Sequence, residues 1–296
     1  MTLAWRKLPQ GWMLFNEQRL SNVVGVGNHW YRPWSYPLFT PAGHQVLQEF
    51  PFDHPFHNGC FVGLHPVIHK DVRHNFWTTP PQRTLQDPML ENLGRVILQP
   101  RSEFNNGVVS ASAKFLFHWQ GANGVVLLAE EREYQIMTEG ESNQMSIKCQ
   151  FLAQQNVEIP PSKFAGIGIR VAPELTQPCS ARAGSLAESA SSSISIPKMR
   201  KRGLLISTSI ENLHGQSKPG IWLETASRSR GYGVVVHAQV PNAPWFARGY
   251  GLVLHNPIQD QGLRLNAGES FVWSVTLTAY DYASGGSVYS DQDMKG

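Results

Sequence analysis

Cysteine is scarce in this sequence. Cys60, Cys149 and Cys179 are the only three, widely spaced and with no Cys-x-x-Cys pair, so neither a disulfide framework nor a zinc knuckle is expected. Charge is sparse as well, at 16% of residues with a net charge of +3. The one basic block, Lys198-Met199-Arg200-Lys201-Arg202, adjoins a serine tract and reads as a solvated loop. A chain so weakly charged does not suit nucleic acid. No stretch approaches 18 consecutive apolar residues, and the opening residues lack an apolar leader core. No membrane span is therefore expected, and the cytoplasm is the simplest compartment. Nucleotide and serine-hydrolase signatures are missing too. Gly25-Val26-Gly27 has no third glycine, and no P-loop, Gly-x-Ser-x-Gly elbow or His-Glu-x-x-His pair occurs. Nor does any run of ten or more residues carry apolar positions at helical spacing.

What is present is alternation. Val109, Ala111, Ala113, Phe115, Phe117 and Trp119 are separated mainly by polar residues. Met145, Ile147, Cys149 and Phe151 repeat the pattern, as do Phe271, Trp273, Val275 and Leu277. Each run predicts a strand with one buried face. Asn105-Asn106-Gly107, Gly121-Ala122-Asn123-Gly124, Glu139-Gly140 and Asn266-Ala267-Gly268 supply turns between strands. With 41% hydrophobic residues and 20 prolines, the chain reads as one all-β domain over 1–296, an antiparallel β-sandwich. The low-complexity segment 180–195 interrupts it and is expected to be a mobile surface loop.

Candidate chemistry concentrates near Asp53-His54-Pro55-Phe56-His57-Asn58-Gly59. With His65, His69 and His74, five of the 11 histidines fall within 21 residues. Imidazole suits both proton transfer near neutral pH and metal ligation. His54 and His57 are candidates for both, and His65, His237 or Glu130 could complete a divalent transition-metal site. A later cluster offers His237, then Trp245, Arg248 and Tyr250, then Asn256. Its aromatic rings could stack on a sugar and its guanidinium could clamp a polarised carbonyl. Lys163 and Arg170 flank another strand-like run.

These segments carry a resemblance. Tyr36-Pro37-Leu38-Phe39-Thr40-Pro41-Ala42-Gly43, the 53–59 loop with Phe76-Trp77, Glu130-Glu131-Arg132-Glu133-Tyr134, the 163–170 stretch, and 244–251 with Asn256-Pro257 together resemble the family labelled "methane oxygenase PmoA". The resemblance runs over about residues 30–280. It departs at Phe164, where that family often has an acidic residue, and in the longer stretch between the loop and Phe76-Trp77, where His65 lies. The label itself does not carry over, because the membrane methane monooxygenase is built on transmembrane helices. What the resemblance implies is a β-sandwich similar to the aldose-epimerase (galactose mutarotase-like) type, with carbohydrate substrates.

The sequence thus leads to an enzyme abstracting a proton next to a carbonyl of a sugar-like small molecule, a lyase, isomerase or epimerase. His54 or His57 would be the base, and Arg248, Arg170 or Lys163 would stabilise the enolate oxygen. His237 is expected in the same pocket, with Trp245, Tyr250, Asn256, Asp53 and Glu130 contacting substrate. Rival readings are a metal-dependent oxygenase or hydroxylase using His54, His57 and a carboxylate, a non-catalytic carbohydrate-binding module, and a natural-product cyclase. Oligomeric state stays open.

Overall fold

In an extended chain successive side chains point to opposite faces, and Ser110–Gln120 obeys this residue by residue. Ala111, Ala113, Phe115, Phe117 and Trp119 are buried, and the residues between them are half-buried. Ser142–Ala153 buries Met145, Ile147, Cys149 and Phe151 in the same way, and Ser270–Asp281 buries Trp273, Val275 and Leu277. The glycine-containing turns fall between strands, as expected.

A computed structural model describes residues 2–29, 31–80, 91–176, 217–219, 222–227, 230–238 and 244–281. The loop expected at 180–195, Cys179 and the basic block at 198–202 lie outside the described residues. Every pair of strands in the three sheets is antiparallel. A nine-stranded sheet runs Leu3–Leu8, Gly11–Asn16, Ser21–Gly27, Trp34–Leu38, Cys60–Leu64, Ala165–Arg170, Leu252–His255, Pro244–Ala247, Ser217–Pro219. A seven-stranded sheet runs Trp222–Ser227, Tyr232–Ala238, Ser270–Asp281, Ser142–Ala153, Val126–Glu139, Ser110–Gln120, Arg95–Asn105. A third of four short strands joins Leu263–Leu265, Val157–Ile159, Val67–His69 and Val72–His74. Among the described residues the one helical element is a 3-10 turn, Pro173–Leu175. No described helix is long and apolar enough to cross a membrane.

The main core fills the space between the two large sheets. Leu14, Val62, Ile167 and Val253 enter from one side; Phe117, Ile147, Val236 and Leu277 enter from the other. Burial of each such side chain contributes roughly 1.5–3 kcal/mol. One ion pair lies within it. Arg132 donates to Glu130 through Nε at 2.6 Å and a terminal nitrogen at 2.9 Å, and Trp119 Nε1 donates to Glu130 Oε2 at 2.7 Å. Burial works against the Arg132 charge, but the Glu130 carboxylate outweighs it and raises the guanidinium above its ordinary value. Ser35 Oγ, on the facing sheet, lies 3.2 Å from Tyr134 Oη. Glu130 is thus a core residue, sealed at 1% exposure with both oxygens engaged, and not the substrate contact expected of it.

A second, smaller apolar cluster covers the opposite face of the nine-stranded sheet. Phe61, Phe246, Leu252 and Leu254 alternate there with core-facing neighbours, and Trp34, Phe56 and Trp77 join them.

Candidate active site

On that outer face opens a cleft of about 270 Å³, lined by His54, Phe56, His57, Trp77, Lys163, Phe164, Phe246, Arg248, Tyr250, Leu252 and Leu254. This is near the small end of the roughly 300–1,000 Å³ spanned by small-molecule sites.

One wall is the 49–59 loop, whose neck is closed by backbone bonds. Gly59 N donates to Gln48 O at 2.8 Å, and Arg170 N donates to Gly59 O at 2.8 Å. Gly59 sits at φ +50, where a Cβ would lie 2.1 Å from Ser35 O, so only glycine fits. Asn58, fully buried, fastens the loop from inside. Its Oδ1 accepts from Phe50 N at 2.6 Å and its Nδ2 donates to Pro55 O at 3.1 Å. A turn closed by His57 N donating to His54 O at 2.9 Å turns both imidazoles the same way. Their rings stack at 5.2 Å and 7°. Tyr250 stacks on His54 at 4.4 Å, Phe61 stacks on His57 at 5.7 Å, and Trp77 meets His57 edge-on at 5.6 Å.

Asp53 connects this loop to the sheet. Its carboxylate takes Arg170 on both oxygens, at 2.6 and 3.0 Å, and its Oδ2 lies 2.8 Å from His54 Nδ1. Arg170 Nε also donates to Gln48 at 3.1 Å. Burial pushes the Asp53 carboxyl up, but hydrogen bonds from Arg170 and His54, with the guanidinium charge, hold it below its ordinary value. An ionised carboxylate can only accept, so His54 Nδ1 is the donor in this contact and Nε2 is the ring nitrogen it leaves over.

The facing wall comes from two short turns. Between Pro244–Ala247 and Leu252–His255, Arg248 N donates to Leu252 O at 2.8 Å and Gly251 N donates to Arg248 O at 2.9 Å. The turn presents Arg248 and Tyr250 to the cleft, with Arg248 Cζ 4.7 Å from the Phe246 ring centre and Arg170 Cζ 4.7 Å from that of Tyr250. Burial raises the Tyr250 hydroxyl although Arg248 and Arg170 oppose it, so the phenol stays protonated and able to donate. Lys163 stands on the second turn, its Nζ 5.6 Å from the Phe164 ring centre. Among the described residues neither Lys163 nor Arg248 has a carboxylate partner.

Several expected residues stand elsewhere. Trp245 is fully buried in the main core, because strand alternation turns Trp245 and Ala247 inward and Phe246 outward. Phe246 supplies the cleft aromatic instead. Asn256, also fully buried, lies behind the site. Its Nδ2 donates to Ser162 O at 2.7 Å and its Oδ1 accepts from Ile258 N, which anchors the Lys163 turn but leaves no reach to a ligand. His237 is opposite Thr276, whose hydroxyl bonds Ser146 at 2.8 Å on the face of the seven-stranded sheet turned from the core. Both sheets, packed about 10 Å apart, separate it from His54, so it does not join the site.

His65 is not among the cleft-lining residues, and burial and Arg73 lower its imidazole. Among the described residues no three His, Cys, Asp or Glu side chains gather so as to hold a metal ion. Neither His54, His57 and His65 nor the two loop histidines with a carboxylate form such a group among the described residues.

The sequence reading missed Arg32. It is fully buried, lies 4.0 Å over the Phe61 ring, and donates to the backbone oxygens of Trp77 and Phe56. Burial, with the Arg132 charge adding, pushes it down to about 9. It stays cationic at neutral pH and braces two walls of the cleft from below. No spacing rule singles out a lone arginine of this kind.

No curated protein matches the chain. Its fold is similar to that of a galactose mutarotase related enzyme from Lactobacillus acidophilus, at 8% identity and TM-score 0.41, over 96% of this chain and 99% of that one. The galactose 1-epimerase of Lactobacillus acidophilus NCFM is similar at 11% identity and TM-score 0.45, over 95% and 99%. Likenesses at these values assign no activity. The family that matches, over residues 24–288, is described as a family of unknown function, DUF6807. That match replaces the "methane oxygenase PmoA" label to which the motifs pointed, since nothing found links the chain to it. By this match the chain belongs to the DUF6807 family of unknown function.

Proposed function

We propose that the cleft is the active site of an enzyme that moves a proton on the carbon next to a carbonyl of a sugar-like substrate. The observation that carries this reading is the Arg170–Asp53–His54 chain, which engages Nδ1 of a ring that lines the cleft and leaves its Nε2 for a ligand. Such an imidazole is a general base near neutral pH. The imidazolium it becomes is stabilised by the adjacent Asp53 carboxylate, as in acid–histidine dyads generally. As the C–H bond breaks, its electrons pass to the carbonyl oxygen. Lys163, Arg248 and the Tyr250 hydroxyl are the groups suited to receive that charge. Returning the proton to the same carbon from its other face gives epimerisation; returning it to the former carbonyl carbon, as the neighbouring hydroxyl becomes the carbonyl, gives isomerisation; passing it to a departing β-hydroxyl gives elimination of water. Phe56, Trp77, Phe164 and Phe246 offer apolar faces for the ring and exclude water.

The second reading, a binding module, rests on the same aromatic walls. Comparing binding with turnover separates the two. Calorimetry and turnover assays with a panel of keto sugars should give His54→Ala a turnover number lower by on the order of 10²-fold or more, with Kd changed by less than about tenfold. A wild-type protein that binds sugars and converts none of them favours the module.

A further inference from the structure

A second cleft, of about 580 Å³, is lined in part by Trp34 of the outer-face cluster. Trp12, Trp34, Tyr36, Glu49, Phe50 and His29 form its walls. It adjoins the first. Trp34 is opposite Phe61 on the neighbouring strand, Phe61 stacks on His57, and Trp34, Phe61 and Trp77 belong to one apolar cluster. Trp34 and Phe61 therefore stand between the two clefts.

Their chemistry differs. The first cleft is lined by Lys163 and Arg248. In the second, Glu49 is the one Asp, Glu, Lys or Arg among the described lining residues, and no described cation pairs with it. Its Oε1 accepts from Trp34 Nε1 at 2.6 Å, so the carboxylate is held against the indole with its other oxygen left over. A lone carboxylate repels anions and accepts hydroxyl protons well. With Gln10, Asn28 and His29 beside it, and aromatic faces to take C–H groups, the cleft suits a neutral, hydroxyl-rich ring.

The wall between the clefts is built rather than incidental. Phe50 is 52% exposed yet held at φ +47, a conformation side chains rarely adopt, by the bond from its N–H to buried Asn58. It meets Trp34 edge-on at 5.8 Å. Glu49 and Phe50 lie at the start of the loop that carries Asp53 and His54, so one loop lines both clefts.

We infer that the substrate is a two-ring glycoside, with its reacting ring over His54 and a second, neutral sugar ring in the Trp34–Glu49 cleft. This rests on the proton-transfer site proposed above and adds the substrate's length and the character of its far end.

The test is calorimetric titration of the full chain with glucose, galactose, cellobiose, maltose and lactose. At least one disaccharide should bind about tenfold or more tighter than its component monosaccharides. Glu49→Ala and Phe50→Ala should each abolish that gain and leave monosaccharide Kd within about twofold, with Tm recorded to confirm folding. Disaccharides that bind no better than their monosaccharides, or a gain that survives both substitutions, would overturn the inference and leave the His54 site standing. Failure of every one of these sugars to bind wild-type protein would overturn this inference, and the keto-sugar turnover assay decides the His54 site separately.

Discussion

Asp53 and Arg170 meet through both carboxylate oxygens, at 2.6 and 3.0 Å, across 117 residues of sequence. The pair ties the histidine loop to the central strand Ala165–Arg170, and Asp53 spends its remaining capacity on His54 Nδ1. Asp53→Asn keeps the shape but removes the charge, and an amide can turn its N–H₂ toward Nδ1, which reverses the tautomer. Turnover should fall by on the order of 10²–10⁴-fold while substrate Kd moves little. Assay and calorimetry on the same preparation check this. Full activity in Asp53→Asn would contradict it.

The core pair behaves differently. Removing the Glu130 charge with Glu130→Gln strands Arg132, 1% exposed, without its counter-ion. The expected cost is about 3–5 kcal/mol of folding stability, read from denaturant unfolding. Whatever protein remains folded should keep its affinity for ligands of the outer cleft, because Glu130 does not line it.

Gly59 allows a sharper test of the loop. A Cβ there meets Ser35 O at 2.1 Å in a left-handed backbone. Gly59→Ala should cost at least about 1–3 kcal/mol and disturb turnover more than stability alone explains, since the neck positions Asp53. Gly124, with φ +84 and open space around it, is the control: its alanine variant pays only the backbone strain and should leave turnover unchanged.

Stability should also depend on pH with a definite sign. Burial lowers the imidazoles of His29, His65, His74 and His237. For each, the folded state binds its proton less readily than the unfolded chain. Their contribution is present above the unfolded value of about 6.5 and is lost as pH falls through that value toward the lowered ones. Asp53, held low by Arg170 and His54, adds a loss only further down, below the ordinary carboxylate range of about 4. A Tm profile from pH 8 to pH 4 should fall first near pH 6.5. A Tm that rises between pH 7 and pH 5.5 would contradict it.

Much of this was readable in the sequence, for physical reasons that also mark its limits. Period-2 runs located Ser110–Gln120, Ser142–Ala153 and Ser270–Asp281, because each has one face in a large core. Parity even placed Glu130 on the same strand face as Tyr134 and Ile136, a sign of burial that its charge obscured. Trp245 and Phe246 are adjacent aromatics, and which faces the cleft depends on register, where a one-residue slip exchanges the faces. Ala165–Arg170 is buried along its whole length, and glycines at 166 and 168 leave no side chain to mark its faces. The partnership of Arg170 with Asp53 therefore had no local signature. His237 alternates correctly with Val236, but only the sheet order reveals that its face is the far one.

The central claim is that His54 removes a proton from carbon, and solvent exchange tests it most directly. Wild-type protein incubated with keto sugars in D₂O and followed by proton NMR should, for at least one of them, replace the C–H next to the carbonyl with deuterium. His54→Ala should slow that exchange by on the order of 10²-fold or more while still binding the sugar. Binding by wild type with no exchange at any carbon, or exchange by His54→Ala at the wild-type rate, would contradict the account.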